Sequence, residues 1–310
     1  MPKISVIGVG GVGATLAYTL QISGLATEIV LVDSNRQTAL GNAMDMNHGL
    51  FFTPPAKIRA GDFPDCAGSD LIVITAGARQ KPDETRLELT NRNAAICTSI
   101  VRELEPHIGE AKILMISNPV DVMTHVVLEA SKLPSNRVFG SGTVLDSARF
   151  RYELSHRCGV DARNVHAYVI GEHGDSEVFL WSQVHIGVMP LEVCCQECDR
   201  GCIPDERREI QERVRKSAYH IIEAKGYTNY GVSLAVRRII EAILRNERSL
   251  LTVSTLLHGE YGLENVCISV PCLVGSNGIE RVMETPLADD DRDGLMNSAQ
   301  VLKSAILALK

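Results

Sequence analysis

Across the first third of the chain, short unbroken apolar runs alternate with longer stretches whose apolar positions recur every three or four residues. Residues 4–7, 28–32, 70–75 and 112–117 are of the first kind, and residues 14–23 are of the second. The alternation predicts strand, helix, strand in succession. The run Leu71-Ile72-Val73-Ile74 has no polar face, so it suits a parallel sheet covered on both sides, with the C-terminal strand ends opening onto a ligand crevice. Beyond Gly140 the texture changes to a charged helical pattern over 146–157, a β-like stretch over 165–170 and a long amphipathic helix over 205–225. The predicted fold is α/β. A doubly wound parallel sheet occupies residues 1–144 and an α+β domain follows over 145–310, with no Gly/Ser linker between them, so the halves should pack firmly and share a cleft. The acidic run at 289–293 reads as a solvated turn.

The 310 residues are enough for two cores. A formal charge of −7 with no basic stripe excludes nucleic acid as a partner. No apolar run nears the ~20 residues needed to cross a bilayer, and Met1-Pro2-Lys3 leads into a strand rather than a secretory signal. A cytoplasmic location is expected. The nine cysteines are an odd, scattered set, consistent with reduced thiols. Cys194, Cys195, Cys198 and Cys202 cluster, and Cys195 and Cys198 have metal-ligand spacing. A second ligand pair is missing, so exposed thiols on a surface segment are expected and no metal.

Chemistry enters with Gly8-Val9-Gly10-Gly11-Val12-Gly13, which follows a predicted strand and opens a predicted helix. In that context Gly8 permits a tight turn, Gly10 lets a pyrophosphate approach the backbone, and Gly13 lets the helix lie close on the sheet. This is the Rossmann arrangement for a dinucleotide. Asp33 ends the second strand twenty residues after Gly13. There a carboxylate accepts from both adenosine ribose hydroxyls and repels a 2′-phosphate, so NAD is expected rather than NADP.

Four further segments occur in order: residues 75–87 (beginning Thr75-Ala76-Gly77), Asn118-Pro119-Val120-Asp121, Leu145-Asp146-Ser147-Ala148-Arg149, and Gly171-Glu172-His173-Gly174-Asp175-Ser176. Together with the glycine turn they resemble the L-lactate/malate dehydrogenase family over nearly the whole chain. The resemblance implies that His173 exchanges a proton with the substrate oxygen as hydride moves, a role that suits an imidazole titrating near ~6.5. Asp146 would orient His173 and raise its proton affinity. Arg149, three residues along the same helical face, would grip a substrate carboxylate with its planar fork. Arg86 ends a polar, Gly- and Pro-containing segment shaped like a lid, and closure would bring it onto the substrate carbonyl. Asn118 would contact the nicotinamide ribose and the substrate oxygen, Thr228 would line the small pocket opposite the lid, and Val232 would pack on the nicotinamide ring.

The family divides at one lid position, where malate-specific members carry arginine and this chain has Gln80. A neutral side chain leaves a second substrate carboxylate unpaired, at a cost of several kcal/mol, so pyruvate and lactate are the expected pair. A branched 2-hydroxy acid of the hydroxyisocaproate type, malate, or a non-catalytic NAD-binding structural role are the alternatives. The resemblance also implies a homotetramer, and places Arg151 and His166 where some bacterial members bind fructose 1,6-bisphosphate as an activator.

Overall fold

The computed structural model describes residues 2–78, 84–197 and 206–309. The unbroken apolar runs are strands with almost no exposed surface: Leu71, Ile72, Val73 and Ile74 are all fully buried. Burial of side chains of this size stabilises by roughly 1.5–3 kcal/mol each. With two further strands these runs make six parallel ones: β1 (Lys3–Ile7), β2 (Glu28–Val32), β3 (Lys57–Ala60), β4 (Leu71–Ile74), β5 (Lys112–Met115) and β6 (Val138–Gly140). They lie side by side in the order β6-β5-β4-β1-β2-β3. The chain reverses its direction of travel between β1 and β4, which opens a crevice at their C-terminal ends. Helices α1 (Gly11–Ser23), α2 (Arg36–His48), α3 (Arg86–Leu104) and α4 (Val120–Ser131) make the connections.

The second half begins with α5 (Val144–Cys158). The stretch expected as one strand over 165–170 is instead β7 (Val165–His166) and β8 (Val169–Ile170), in different sheets. Side chains from α5 and from Thr143, which precedes it, take up the backbone of Val169, whose N–H donates to Ser147 Oγ at 2.9 Å and whose carbonyl accepts from Thr143 Oγ1 at 2.5 Å. Then come β9 (Val178–Phe179), β10 (His185–Ile186), β11 (Met189–Pro190), α6 (Leu191–Glu197), α7 (Arg207–Lys225) and α8 (Tyr230–Leu244). The last segment is β12 (Ser249–His258), β13 (Glu264–Gly275), β14 (Gly278–Val282) and α9 (Asp289–Leu307).

The sheet does not stop where the parallel strands do. Ser254 of β12 pairs antiparallel with Gly140 of β6, and β12, β13 and β14 extend the same sheet to nine strands. The main core therefore runs through both halves of the sequence. A smaller core of Phe150, Leu154, Phe179, Trp181, Ile210 and Val214 belongs to the second half. Its aromatic rings meet edge to face, Phe150 with Phe179 at 5.1 Å and with Trp181 at 4.7 Å.

Two expectations are corrected here. The acidic run at 289–293 is not a turn but the start of α9, with Asp289, Asp290 and Asp291 in its first turn. Carboxylates are favoured there by the positive end of the helix. Cys194 and Cys195 are buried rather than exposed, because α6 lays them against the smaller core, and thiols pack as small apolar groups. Cys198 and Cys202 lie outside the described residues.

Candidate active site

The glycine turn joins β1 to α1 at the crevice. Gly8 has φ of +92°, and a Cβ there would stand 2.6 Å from the Ala76 backbone. At Gly13 a Cβ would lie 1.9 Å from the Gly8 carbonyl oxygen. Gly10 is different: a Cβ there would meet open space. It is the N-cap of α1 and no side chain caps the helix, so the first-turn N–H groups are left for an anion. Asp33 is fixed at the groove edge, Oδ2 accepting from Val9 N–H at 2.6 Å and Oδ1 from Asn35 N–H at 2.8 Å. The groove measures about 620 Å³, and its described lining includes Asp33 and Asp62 but no Lys or Arg. A diphosphate with an unphosphorylated ribose fits these residues, and a 2′-phosphate does not.

Asn118, on the turn before α4, is exposed at the crevice. Its carbonyl accepts from Asn93 Nδ2 at 2.9 Å, while Asn93 Oδ1 accepts from Ala78 N–H at 2.8 Å. Buried Asn93 thus ties together the two loops beside the groove. It lies outside the sequence motifs, and no local pattern marks it. Tyr227, in the turn joining α7 to α8, sits over Gly11, where a Cβ would come within 2.8 Å of its ring. Thr228 follows it, half-buried, and Val232 on α8 packs against the main core.

The surroundings of His173 are built from three elements. His173 lies between β8 and β9, and its Nδ1 is 2.5 Å from Asp146 Oδ2 on α5. The other Asp146 oxygen accepts from Arg149 Nη1 at 2.9 Å, one turn along the same helix. The His173 backbone N–H donates to Asp121 Oδ2 at 2.8 Å, from the first turn of α4. Burial by itself would depress His173. The charge and hydrogen bond of Asp146, with the charges of Asp121 and Glu177, together outweigh it and lift His173 to about 9. Burial opposes the Asp146 charge too, but His173 and Arg149 hold that carboxyl below the usual carboxylate range. Asp121 is pushed up to about 6 by burial.

Asp121, Glu177, Asp175 and Tyr219 join the site without having been assigned a role from sequence. Asp121 and Asp175 stand inside quoted motifs and Glu177 directly follows one; for Tyr219 there is no local signal. Glu177 is buried, its Oε1 lacks a hydrogen-bond partner, and burial and then the Asp146 charge push it up to about 8. Arg86 is the first residue of α3, behind a capping box of Thr85 and Glu88. Its guanidinium is exposed, bonded to Asp175 Oδ2 and to the Tyr219 hydroxyl, each at 3.0 Å. Gln80 lies outside the described residues. Arg151 reaches the residue that follows His166 in the chain. Arg151 donates to Ala167 O at 2.9 Å and lines a separate cleft of about 400 Å³ with Arg238, whereas exposed His166 does not line it.

The chain has close relatives. L-lactate dehydrogenase from Acetivibrio thermocellus is 51% identical over 307 residues, covering 99% of this chain and 97% of the relative. L-lactate dehydrogenase from Thermoanaerobacter sp. is 52% identical over 309 residues, covering 100% and 99%. Among solved structures, MGS-M5, a lactate dehydrogenase from a Medee basin deep-sea metagenome library, superposes with a TM-score of 0.97 at 40% identity, covering 99% of this chain and 98% of that one. The minor L-lactate dehydrogenase from Enterococcus mundtii, in its ligands-bound form, gives 0.96 at 35% identity, covering 100% and 98%. The family profile for the lactate/malate dehydrogenase NAD binding domain matches residues 2–140, and that for the alpha/beta C-terminal domain matches residues 143–310. With both halves matched and half of all positions shared with such relatives, the chain belongs to the lactate/malate dehydrogenase family.

Proposed function

We propose that the protein interconverts pyruvate and L-lactate with NADH and NAD. Bound in the glycine groove, the nicotinamide supplies or accepts the hydride at C2 of the substrate. The chain's own residues do the rest. Asp146 holds His173 through Nδ1, so Nε2 is left to give a proton to the carbonyl oxygen in reduction and to remove it in oxidation. Arg149 keeps N–H groups beyond the one bonded to Asp146, and these receive the substrate carboxylate. Arg86 exchanges Asp175 and Tyr219 for the substrate carbonyl on closure, where it steadies negative charge developing on oxygen. Asn118, Thr228 and Val232 shape the wall around the nicotinamide. The observation that carries this reading is the His173–Asp146–Arg149 chain of contacts, tied through Asp121 of α4 to the half of the chain that holds a groove fitted for NAD.

Gln80 sets the substrate. It supports pyruvate over oxaloacetate because it offers no charge to a second carboxylate. Steady-state rates with NADH and pyruvate, oxaloacetate or 2-oxoisocaproate test this. Pyruvate should have the highest kcat/KM, and a preference for oxaloacetate would overturn the Gln80 argument.

Self-association into a homotetramer is supported by two exposed apolar patches. Tyr18 and Ile22 on α1 and Leu40 and Met44 on α2 are exposed, and Leu234 and Leu250 flank the Arg151 cleft. A tetramer of dihedral symmetry needs at least two distinct self-complementary surfaces. Light scattering should return four times the 33.8 kDa of the chain. Arg151 and His166 are proposed to receive fructose 1,6-bisphosphate once copies associate, and pyruvate saturation curves that coincide with and without it would dismiss that reading. A cytoplasmic location is supported by Cys66, Cys97, Cys267 and Cys272, which are free thiols. Among the described residues no helix is long and apolar enough to cross a membrane.

A further inference from the structure

We propose that Asp121 is a second positioning residue for His173, one that fixes the histidine's backbone and adds its charge to the imidazole. This rests on the proposed proton-transfer role of His173. An acidic residue in the first turn of a helix is usually explained by the helix dipole. The contacts of Asp121 point elsewhere. Its Oδ2 accepts from the His173 N–H at 2.8 Å, 52 positions away, and its Oδ1 accepts from Ser269 Oγ of β13 at 3.3 Å, 148 positions away. Gly171, two residues before His173, makes a bridge to the same Ser269. One carboxylate therefore joins three elements at the histidine: α4, the 171–177 segment and β13.

Hydrogen bonding alone does not call for a charge here. An asparagine could accept from His173 N–H with its Oδ1 and donate from Nδ2 to the Ser269 hydroxyl. Asp121 is only 1% exposed, and a charge so placed costs several kcal/mol unless something nearby repays it. What the charge adds is potential at the imidazole. The groups facing His173 are Asp146 from α5, Asp121 from α4 and Glu177 from its own segment, with Arg149 of α5 facing Asp146 and Arg215 of α7 facing Glu177. Asp121 in turn faces Glu172 and His173. Asp146 works through the ring, and Asp121 through the backbone and the field.

The placement also links proton donor and cofactor. Asp121 lies three residues after Asn118, on the turn pinned from the other side by Asn93. The turn that would touch the nicotinamide ribose is thus continuous with the group that holds His173. Hydride and proton reach the same carbonyl, so their donors must stay in register within a fraction of an ångström.

Asp121→Asn and Asp121→Glu, made in the full chain, separate position from charge. The readouts are the pH profile of kcat/KM for pyruvate reduction and the affinity for NADH from fluorescence titration. Asp121→Asn keeps the hydrogen bonds and removes the charge, so the high-pH limb should move down by about 0.5–1 unit, with NADH affinity within about twofold of the parent. Asp121→Glu keeps the charge and displaces the histidine, so the limb should stay in place while kcat falls about tenfold at every pH. A limb that stays put in Asp121→Asn overturns the proposal. If that variant does not fold, Asp121→Glu decides alone, and a limb displaced downward in it overturns the proposal equally. If neither variant nor the parent turns over pyruvate, the proposed activity is what has failed.

Discussion

Replacing Asp146 with asparagine removes the largest charge acting on His173 while leaving an oxygen to accept from Nδ1. In the parent, His173 is raised from an ordinary 6.5 to about 9 against the opposing effect of burial. Loss of the Asp146 charge returns it to the ordinary value or below. The difference, 9 − 6.5, is about 2.5 pH units, or about 3 kcal/mol at 1.36 kcal/mol per unit. At pH 7.5 the protonated fraction then drops from nearly all to about a tenth. Pyruvate reduction uses the protonated form, so kcat/KM at that pH should fall at least about tenfold, and its high-pH limb should move from near 9 toward 6.5 or lower. Thermal denaturation gives an independent check. A raised histidine contributes stability that is fully present below its unfolded pKa and is lost as pH rises through the folded one. The parent should therefore lose stability between about pH 6.5 and 9, and the variant should lose much less over that window. The reasoning is refuted if the limb does not move, or if parent and variant lose stability in parallel.

Other expectations follow from the same geometry. Arg149→Lys replaces a planar fork by a point charge, and should raise KM for pyruvate about tenfold or more while NADH affinity, measured by fluorescence, stays unchanged. Gly10→Ala and Gly13→Ala should fail in different ways. The first places its methyl in open space, so it should melt with the parent yet bind NADH weakly; the second drives a Cβ to 1.9 Å from the Gly8 carbonyl and should lower the melting temperature itself. Glu177 is pushed from 4.5 up to about 8, first by burial and then by Asp146. The folded state thus withholds a proton that the unfolded state releases, and stability falls as pH rises from 4.5 through 8. Glu177→Gln should melt with the parent near pH 4.5 and above it at pH 8; equal melting temperatures at pH 8 would count against a buried, neutral Glu177.

The parts of the molecule legible in the sequence are those specified locally. The glycine turn, Asp33 at the end of β2, and Asp146 with Arg149 three apart on one helix each follow from spacing within a single element. His173 is legible through its motif, and its contact with Asp146 through the resemblance. What pattern missed is carried by long-range pairing. The joint of Ser254 with Gly140 depends on residues over a hundred positions apart, and neither strand carries a mark of its partner. β3, with the sequence Lys-Ile-Arg-Ala, is an edge strand with too little apolar alternation to stand out. The acidic start of α9 read as a turn because composition shows charge without showing that a helix follows. The resting partners of Arg86 were equally hidden, since Tyr219 is 133 residues away.

The joint between β6 and β12 also bears on how substrate enters. A molecule whose cofactor half and proton-transfer half share one hydrogen-bonded sheet has no hinge along which to gape. Admission and release must then be handled by pieces that hang from the sheet, such as the start of α3 that carries Arg86 and the stretch of α7 that carries Tyr219. An enzyme built this way samples its substrates with a flap rather than a jaw. The size and charge of the molecules it accepts should be retunable at that flap while the frame beneath stays as it is.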